Sequence, residues 1–196
     1  MSIHTTTVLV TRGILTCGVF ESLTERVKAV IIRYPSNIPA ITCAANLAHH
    51  RLLGSVKELR FGDVDLTSVP AEHLASLVSL VTWHVFIRNV RGCSLLTVLD
   101  SVRSNRLLIS SQSLYSEETQ ALVQLMESVV EEVKLVGGTT LDIWGLMEYT
   151  GQGKCRRVEC YYDTVAGYKE QLKNLAISKN WTVTFYSDQY FKIERL

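Results

Sequence analysis

A pair of apolar residues two positions apart recurs eight times along this chain of 196 residues: Val8/Val10, Val30/Ile32, Leu59/Phe61, Val85/Ile87, Leu107/Ile109, Val133/Leu135, Val158/Cys160 and Val183/Phe185. Successive pairs begin 22, 29, 26, 22, 26, 25 and 25 residues apart. Apolar residues at period two suit a short strand with one buried face. Between the pairs the period becomes helical, as in Leu74, Leu77, Val78 and Leu80, and again in Leu122, Leu125, Met126 and Val129. A strand and helix of this combined length form the crossover that parallel strands require. Such a unit cannot bury its apolar face alone, so neighbouring units must stack. The pattern predicts an α/β solenoid with a parallel sheet of about eight strands and helices on its convex side.

The remaining elements follow from local signals. Helices are expected over 14–26, 38–53, 71–80, 93–102, 141–149 and 165–177, and after Ser116, where Glu117 and Glu118 suit a helix N-terminus. Pro70 fits the first turn of the 71–80 helix, with Ser68 offered as its cap. At the C-terminal side, Ser187-Asp188-Gln189 leads into Tyr190–Glu194, an alternating segment expected to fold back as a hairpin and cap the last parallel strand. Thr5–Thr11 would be an edge strand. The whole chain, 1–196, reads as one domain, with divergent repeats over 1–55, clearer ones over 56–180 and the capping hairpin over 181–196.

Composition excludes several classes of function. Lys and Arg number 20 against 19 Asp and Glu, which gives no global attraction to nucleic acid or to an anionic membrane. No run approaches the roughly 18 apolar residues of a membrane span. Five scattered cysteines, Cys17, Cys43, Cys93, Cys155 and Cys160, suit reduced thiols and a cytoplasmic location. The first 20 residues lack the basic start of a signal peptide, so the sequon Asn180-Trp181-Thr182 has no evident use. His49-His50, His73 and His84 form no metal-ligand spacing with the cysteines, and Gly151-Gln152-Gly153-Lys154 lacks the spacer and hydroxyl residue of a phosphate loop. No nucleophile elbow is present. Neither cofactor, metal nor catalytic residue is expected.

Val56-x-x-Leu59-x-Phe61-x-x-Val64-x-Leu66 and Ser104-x-x-Leu107-x-Ile109-x-x-Gln112-x-Leu114 resemble the leucine-rich repeat. The helical halves, notably Leu114–Glu118 leading to Leu122, are similar to the ribonuclease-inhibitor type found in the tails of NOD-like receptors. The resemblance implies a short horseshoe that binds another protein through its concave sheet, in innate immune signalling. It extends over nearly the whole chain, although no segment is like the NTPase portion of those receptors. One position departs from the pattern: the turn residue usually Asn or Cys is here Gly13, Pro35, Val64, Val90, Gln112, Gly138, Asp163 and Asp188. Few of these can satisfy turn amides through a side chain, so an irregular solenoid is expected.

Strand alternation gives the concave face a specific register. Its central column is Leu9, Ile31, Arg60, Phe86, Leu108, Lys134, Glu159 and Thr184. Phe86 with Leu108, and Tyr161 with Tyr186, fall on consecutive strands of the repeat and form candidate partner-binding pairs. Arg33, Arg60, Arg88 and Arg106 gather on the same half, a guanidinium set suited to a carboxylate-bearing protein segment. The expected function is therefore a non-catalytic interaction scaffold. The alternative is a self-associating module that forms a homodimer through an edge strand or the aromatic pairs.

Overall fold

The computed structural model describes residues 6–10, 27–33, 57–63, 66–67, 69–92, 95–110, 112–136, 140–141, 153–161 and 169–195, the segments 6–10, 27–33 and 140–141 by their backbone alone. The chain divides into two compact units, Met1–Ser104 and Asn105–Leu196. Both are α/β and mostly parallel.

In the first unit β1 (Thr6–Val10), β2 (Val27–Arg33), β3 (Glu58–Gly62) and β4 (His84–Arg88) lie side by side in chain order, all parallel. The apolar pairs are in register, with Val30 opposite Leu59 and Leu59 opposite Val85. Leu59, Phe61, Val85 and Ile87 are buried, together with Leu74, Leu77 and Val78 of α1 (Ala71–Ser79) and Leu95, Val98 and Leu99 of α2 (Leu95–Ser101). Truncating one of these leucines to alanine should cost about 2–5 kcal/mol. Pro70 stands at the N-cap of α1, where a missing N–H is harmless, and its carbonyl accepts from the His73 and Leu74 amides at 3.1 and 3.2 Å. Ser68, the expected cap, lies outside the described residues.

The turns after β3 and β4 are cross-linked. Asp63 and Asn89 occupy equivalent positions and both adopt the left-handed conformation, φ 52° and 46°, which short amide and carboxylate side chains tolerate. Asn89 Nδ2 donates to Asp63 Oδ1 at 2.9 Å. The Asp63 and Leu66 amides donate to the carbonyls of Arg88 and Arg91, at 3.0 and 2.8 Å. These turn amides are thus satisfied by backbone carbonyls, while the side chains one residue before positions 64 and 90 bond each other.

In the second unit β5 (Arg106–Ser110), β7 (Glu132–Val136) and β9 (Arg157–Tyr161) are parallel neighbours, and β6 (Ser113–Leu114) pairs with β8 (Thr140–Leu141) in a separate short parallel ladder. Leu107, Ile109, Val133, Leu135, Val158 and Cys160 are buried against Leu122, Leu125 and Met126 of α3 (Ser116–Ser128) and Leu172 and Ala176 of α4 (Lys169–Ser178). The Tyr115 amide donates to the Glu118 carboxylate at 3.1 Å, which anchors the start of α3. Leu141, expected to open a helix, belongs to β8; residues 142–152 lie outside the described ones, as do the expected helices over 14–26 and 38–53.

The hairpin forms, but its order corrects the expectation. β11 (Tyr190–Arg195) inserts antiparallel between β9 and β10 (Trp181–Phe185), so the eighth apolar pair does not extend the parallel ladder. Burial accounts for this order. Phe191 sits opposite Cys160 and is fully buried, whereas Val183 and Phe185 on β10 are only half-buried. The arrangement places the hairpin's best-packed apolar residue on the strand that leads into the core.

Candidate functional site: the open face of the sheet

In both units the odd-even alternation separates two environments. The apolar pairs from Leu59/Phe61 to Val158/Cys160 face a covered side, while Arg60, Arg88 and Arg106 on the other side are exposed. Each sheet is thus covered on one face. Parallel sheets are usually covered on both, so an open face that carries large side chains is the feature to explain.

In the second unit the strand register arranges the open face as three rows. The first is Arg106, Glu132, Arg157, Glu194 and Thr182; the second is Leu108, Lys134, Glu159, Lys192 and Thr184; the third is Ser110, Val136, Tyr161, Tyr190 and Tyr186. The charges alternate in sign along the first two rows, and the structure pairs them. Arg106 engages Glu132 with two bonds, at 3.0 Å from Nε and 3.3 Å from Nη2. Lys134 reaches Glu159 at 2.9 Å, Arg157 Nη2 bonds the other Glu159 oxygen, and Lys192 reaches Glu194 at 2.8 Å. Glu159, although on the open face, is 7% exposed because Lys134 and Arg157 lie against it. Burial alone would raise its pKa, but the bonds and charges of Lys134 and Arg157 outweigh it and hold the carboxyl below its ordinary value. Hydrogen bonding to Glu194, followed by that to Tyr186, raises the Lys192 ammonium.

The third row is a stack of rings. Tyr161 and Tyr186 were expected as neighbours, but β11 places Tyr190 between them. Tyr161 and Tyr190 lie 4.0 Å apart with 6° between planes, and Tyr190 and Tyr186 lie 4.6 Å apart with 18°. Lys134 sits 5.2 Å from the Tyr161 ring centre and Lys192 sits 5.8 Å from that of Tyr186. Burial, then hydrogen bonding to Tyr161 and the nearby Glu159 charge, push the Tyr190 hydroxyl up to about 12. Tyr186, at the end of the stack, is 54% exposed.

The first unit's face is simpler. Phe86 is half-buried between the rows that hold Glu58 and His84 on one side and Gly62 and Arg88 on the other. Arg60 is ion-paired to Glu58, which also lies 3.5 Å from His84 Nδ1. Arg88 is exposed, and Arg33 falls opposite Gly62 in β2, its side chain lying outside the described residues.

The sequence thus places Phe86, Arg60 and Arg88 on the open face of the first unit, and Leu108, Arg106, Tyr161 and Tyr186 on that of the second. Arg60 and Arg106 each have an acidic partner on their own sheet, so they do not form a free guanidinium set. Glu159 falls on this face as its column predicts, whereas Tyr190 and Lys192 were missed as site residues. Their signal was the alternation of Tyr190, Lys192 and Glu194, which matches that of β9 in reverse. Beside the first row a cavity of about 530 Å³ is lined by Glu131, Glu132, Arg156, Arg157, Thr182, Glu194 and Arg195, a wall of mixed charge. Cys155, just before β9, and Cys160, within it, are buried, and burial pushes their thiols up to about 11 and about 12. The open face offers paired charges, hydrogen-bond donors and aromatic planes. Among the described residues no helix is long and apolar enough to cross a membrane. Compared with models of known protein families, with curated proteins and with solved structures, the chain matches none of them.

Proposed function

We propose that this chain is a non-catalytic scaffold of leucine-rich repeat type that binds a protein partner through the open face of its sheet. One observation carries the reading: a parallel sheet left open on one side presents ordered rows of aromatic and charged side chains there. Covering both faces is the usual solution for parallel strands, and a stacked-repeat architecture is the main exception. Aromatic residues held rigid by stacking, such as the tyrosine row, contribute contact area at small entropic cost, and Phe86 and Leu108 add apolar surface. The surrounding salt bridges suit a polar rim that excludes water around such anchors. The repeat pattern's similarity to NOD-like receptor tails supports a signalling assembly as the setting.

The experiment is affinity capture from cells with the wild type and with Phe86→Asp/Leu108→Asp and Tyr186→Ala variants whose folding is checked by circular dichroism. Partners retained by the wild type should be lost from the first variant and reduced for the second. Equal capture by all three folded proteins rules out the open face as the binding surface.

A further inference from the structure

Among the described residues β10 is the end strand of the second unit's sheet, and its sequence lacks the protection such edges usually carry. Each of its inner neighbours β7, β9 and β11 places at least two charged residues on the open face, but β10 reads Trp181-Thr182-Val183-Thr184-Phe185 with no charge and no proline. Natural edge strands usually carry a Lys, a Pro or a bulge to prevent pairing with another chain. The Tyr186 amide donates to the Tyr190 carbonyl at 2.9 Å, so the even-numbered residues of β10 direct their backbone groups toward β11. By alternation Val183 and Phe185 direct theirs away from it. The side chains of Val183 and Phe185 on the covered side are half-buried, whereas Phe191 beside them is fully buried. Ile177 on α4 is 76% exposed.

The chemistry of β10 is also a palindrome about Val183: an aromatic residue, Thr, Val, Thr, an aromatic residue. We propose that a second copy of this chain pairs with β10 in antiparallel register about Val183. In that register Val183 faces Val183 of the second copy as a hydrogen-bonded pair. Thr182 faces Thr184 as a close non-hydrogen-bonded pair, and Phe185 faces Trp181. Every opposed pair is chemically matched, no like charges meet, and the half-buried Val183 and Phe185, the latter already flanked by Lys169, Lys173 and Phe191, gain further apolar cover. The surface differs from the open face, so the two can operate together.

Sedimentation velocity of the full chain from about 1 to about 200 μM should show a monomer–dimer equilibrium. Val183→Pro removes an amide directed away from β11, and Thr182→Lys/Thr184→Lys sets lysines opposite lysines at an exposed and a half-buried position of the open face; each should weaken the dimer at least about tenfold. The lysine variant, placed on the open face of the strand, keeps the test intact if the proline disturbs folding. A wild type that stays monomeric throughout, including one whose edge is taken by a different protein, overturns the proposal. A dimer that the folded lysine variant leaves unchanged also overturns it.

Discussion

The two units build their open faces differently on the same strand register. In the second, three acidic residues, Glu132, Glu159 and Glu194, alternate with Arg106, Lys134, Arg157 and Lys192, and the pairs close on one another. In the first, Glu58 is the one acid among the described residues of the strands' open face, where it lies with Arg60, His84 and Arg88, next to Phe86. The difference separates two uses of an exposed strand position. A cation that alternates with acids across strands is held by its own sheet, as Arg60 also is by Glu58, while Arg88, two residues from Phe86 on the same strand, makes no ion pair among the described residues. Counting arginines on a face therefore says little until their acidic neighbours are placed.

This contrast makes predictions that can break it, beginning with the largest. Cys155, Cys160, Tyr190 and Lys192, all in the second unit, have pKa values raised by folding. The folded state therefore holds protons that the unfolded chain releases, and stability falls as pH rises. For the two buried thiols the stabilisation is complete below the ordinary value of 9.0 and is lost as pH passes toward about 11 and about 12. Their combined loss should reach several kcal/mol, because each tenfold change in proton affinity between the folded and unfolded chain is worth about 1.4 kcal/mol. Urea titrations at pH 8, 9 and 10, with hydrogen exchange to locate the unfolding, should show amides of the second unit losing protection as pH rises; constant protection contradicts the assignment.

A smaller effect compares the acids directly. Glu159→Gln leaves Lys134 and Arg157 without their carboxylate and should cost about 2 kcal/mol, whereas Glu58→Gln in the first unit should cost under about 1 kcal/mol because its pair is exposed. Because folding lowers the Glu159 pKa, its contribution is present above the ordinary carboxylate range and is lost as pH falls through the folded value. Equal costs for the two substitutions in denaturant titrations would remove the distinction between the faces. Smallest is Asn89→Ala, which removes the bond to Asp63 and places a Cβ-bearing residue without a local acceptor at φ 46°. A loss of about 1 kcal/mol is expected, mostly recovered by Asn89→Gly/Asp63→Gly if left-handed geometry is the larger part.

Much of this was legible in the sequence, for a definable reason. Period-two burial depends only on local alternation, so each inward pair from Leu59/Phe61 to Val158/Cys160 could be read from spacing. Strand order is not local. Alternation shows that Tyr190–Glu194 is a strand but not that it would lie between β9 and β10, and so the Tyr161–Tyr186 pair became a three-ring stack. Burial of a charged residue is non-local in part: Glu159 alternates outward and is covered because Lys134 of β7 joins Arg157 of its own strand against it. The turn ladder was missed by a single residue, because the family pattern directs attention to positions 64 and 90 while Asp63 and Asn89 carry the bond.

The insertion of β11 also limits how such a chain can change length. A parallel array grows by copying a strand–helix unit, because each new strand finds the same edge that the previous one offered. After β9 that edge is occupied by a strand running the other way. A duplicated unit arising downstream of β9 would meet an antiparallel neighbour and the wrong hydrogen-bond spacing, whereas one arising upstream would meet a parallel edge on both sides. Lineages that lengthen or shorten this protein by whole units should therefore carry their insertions and deletions ahead of Arg157, with the closing hairpin held constant behind them.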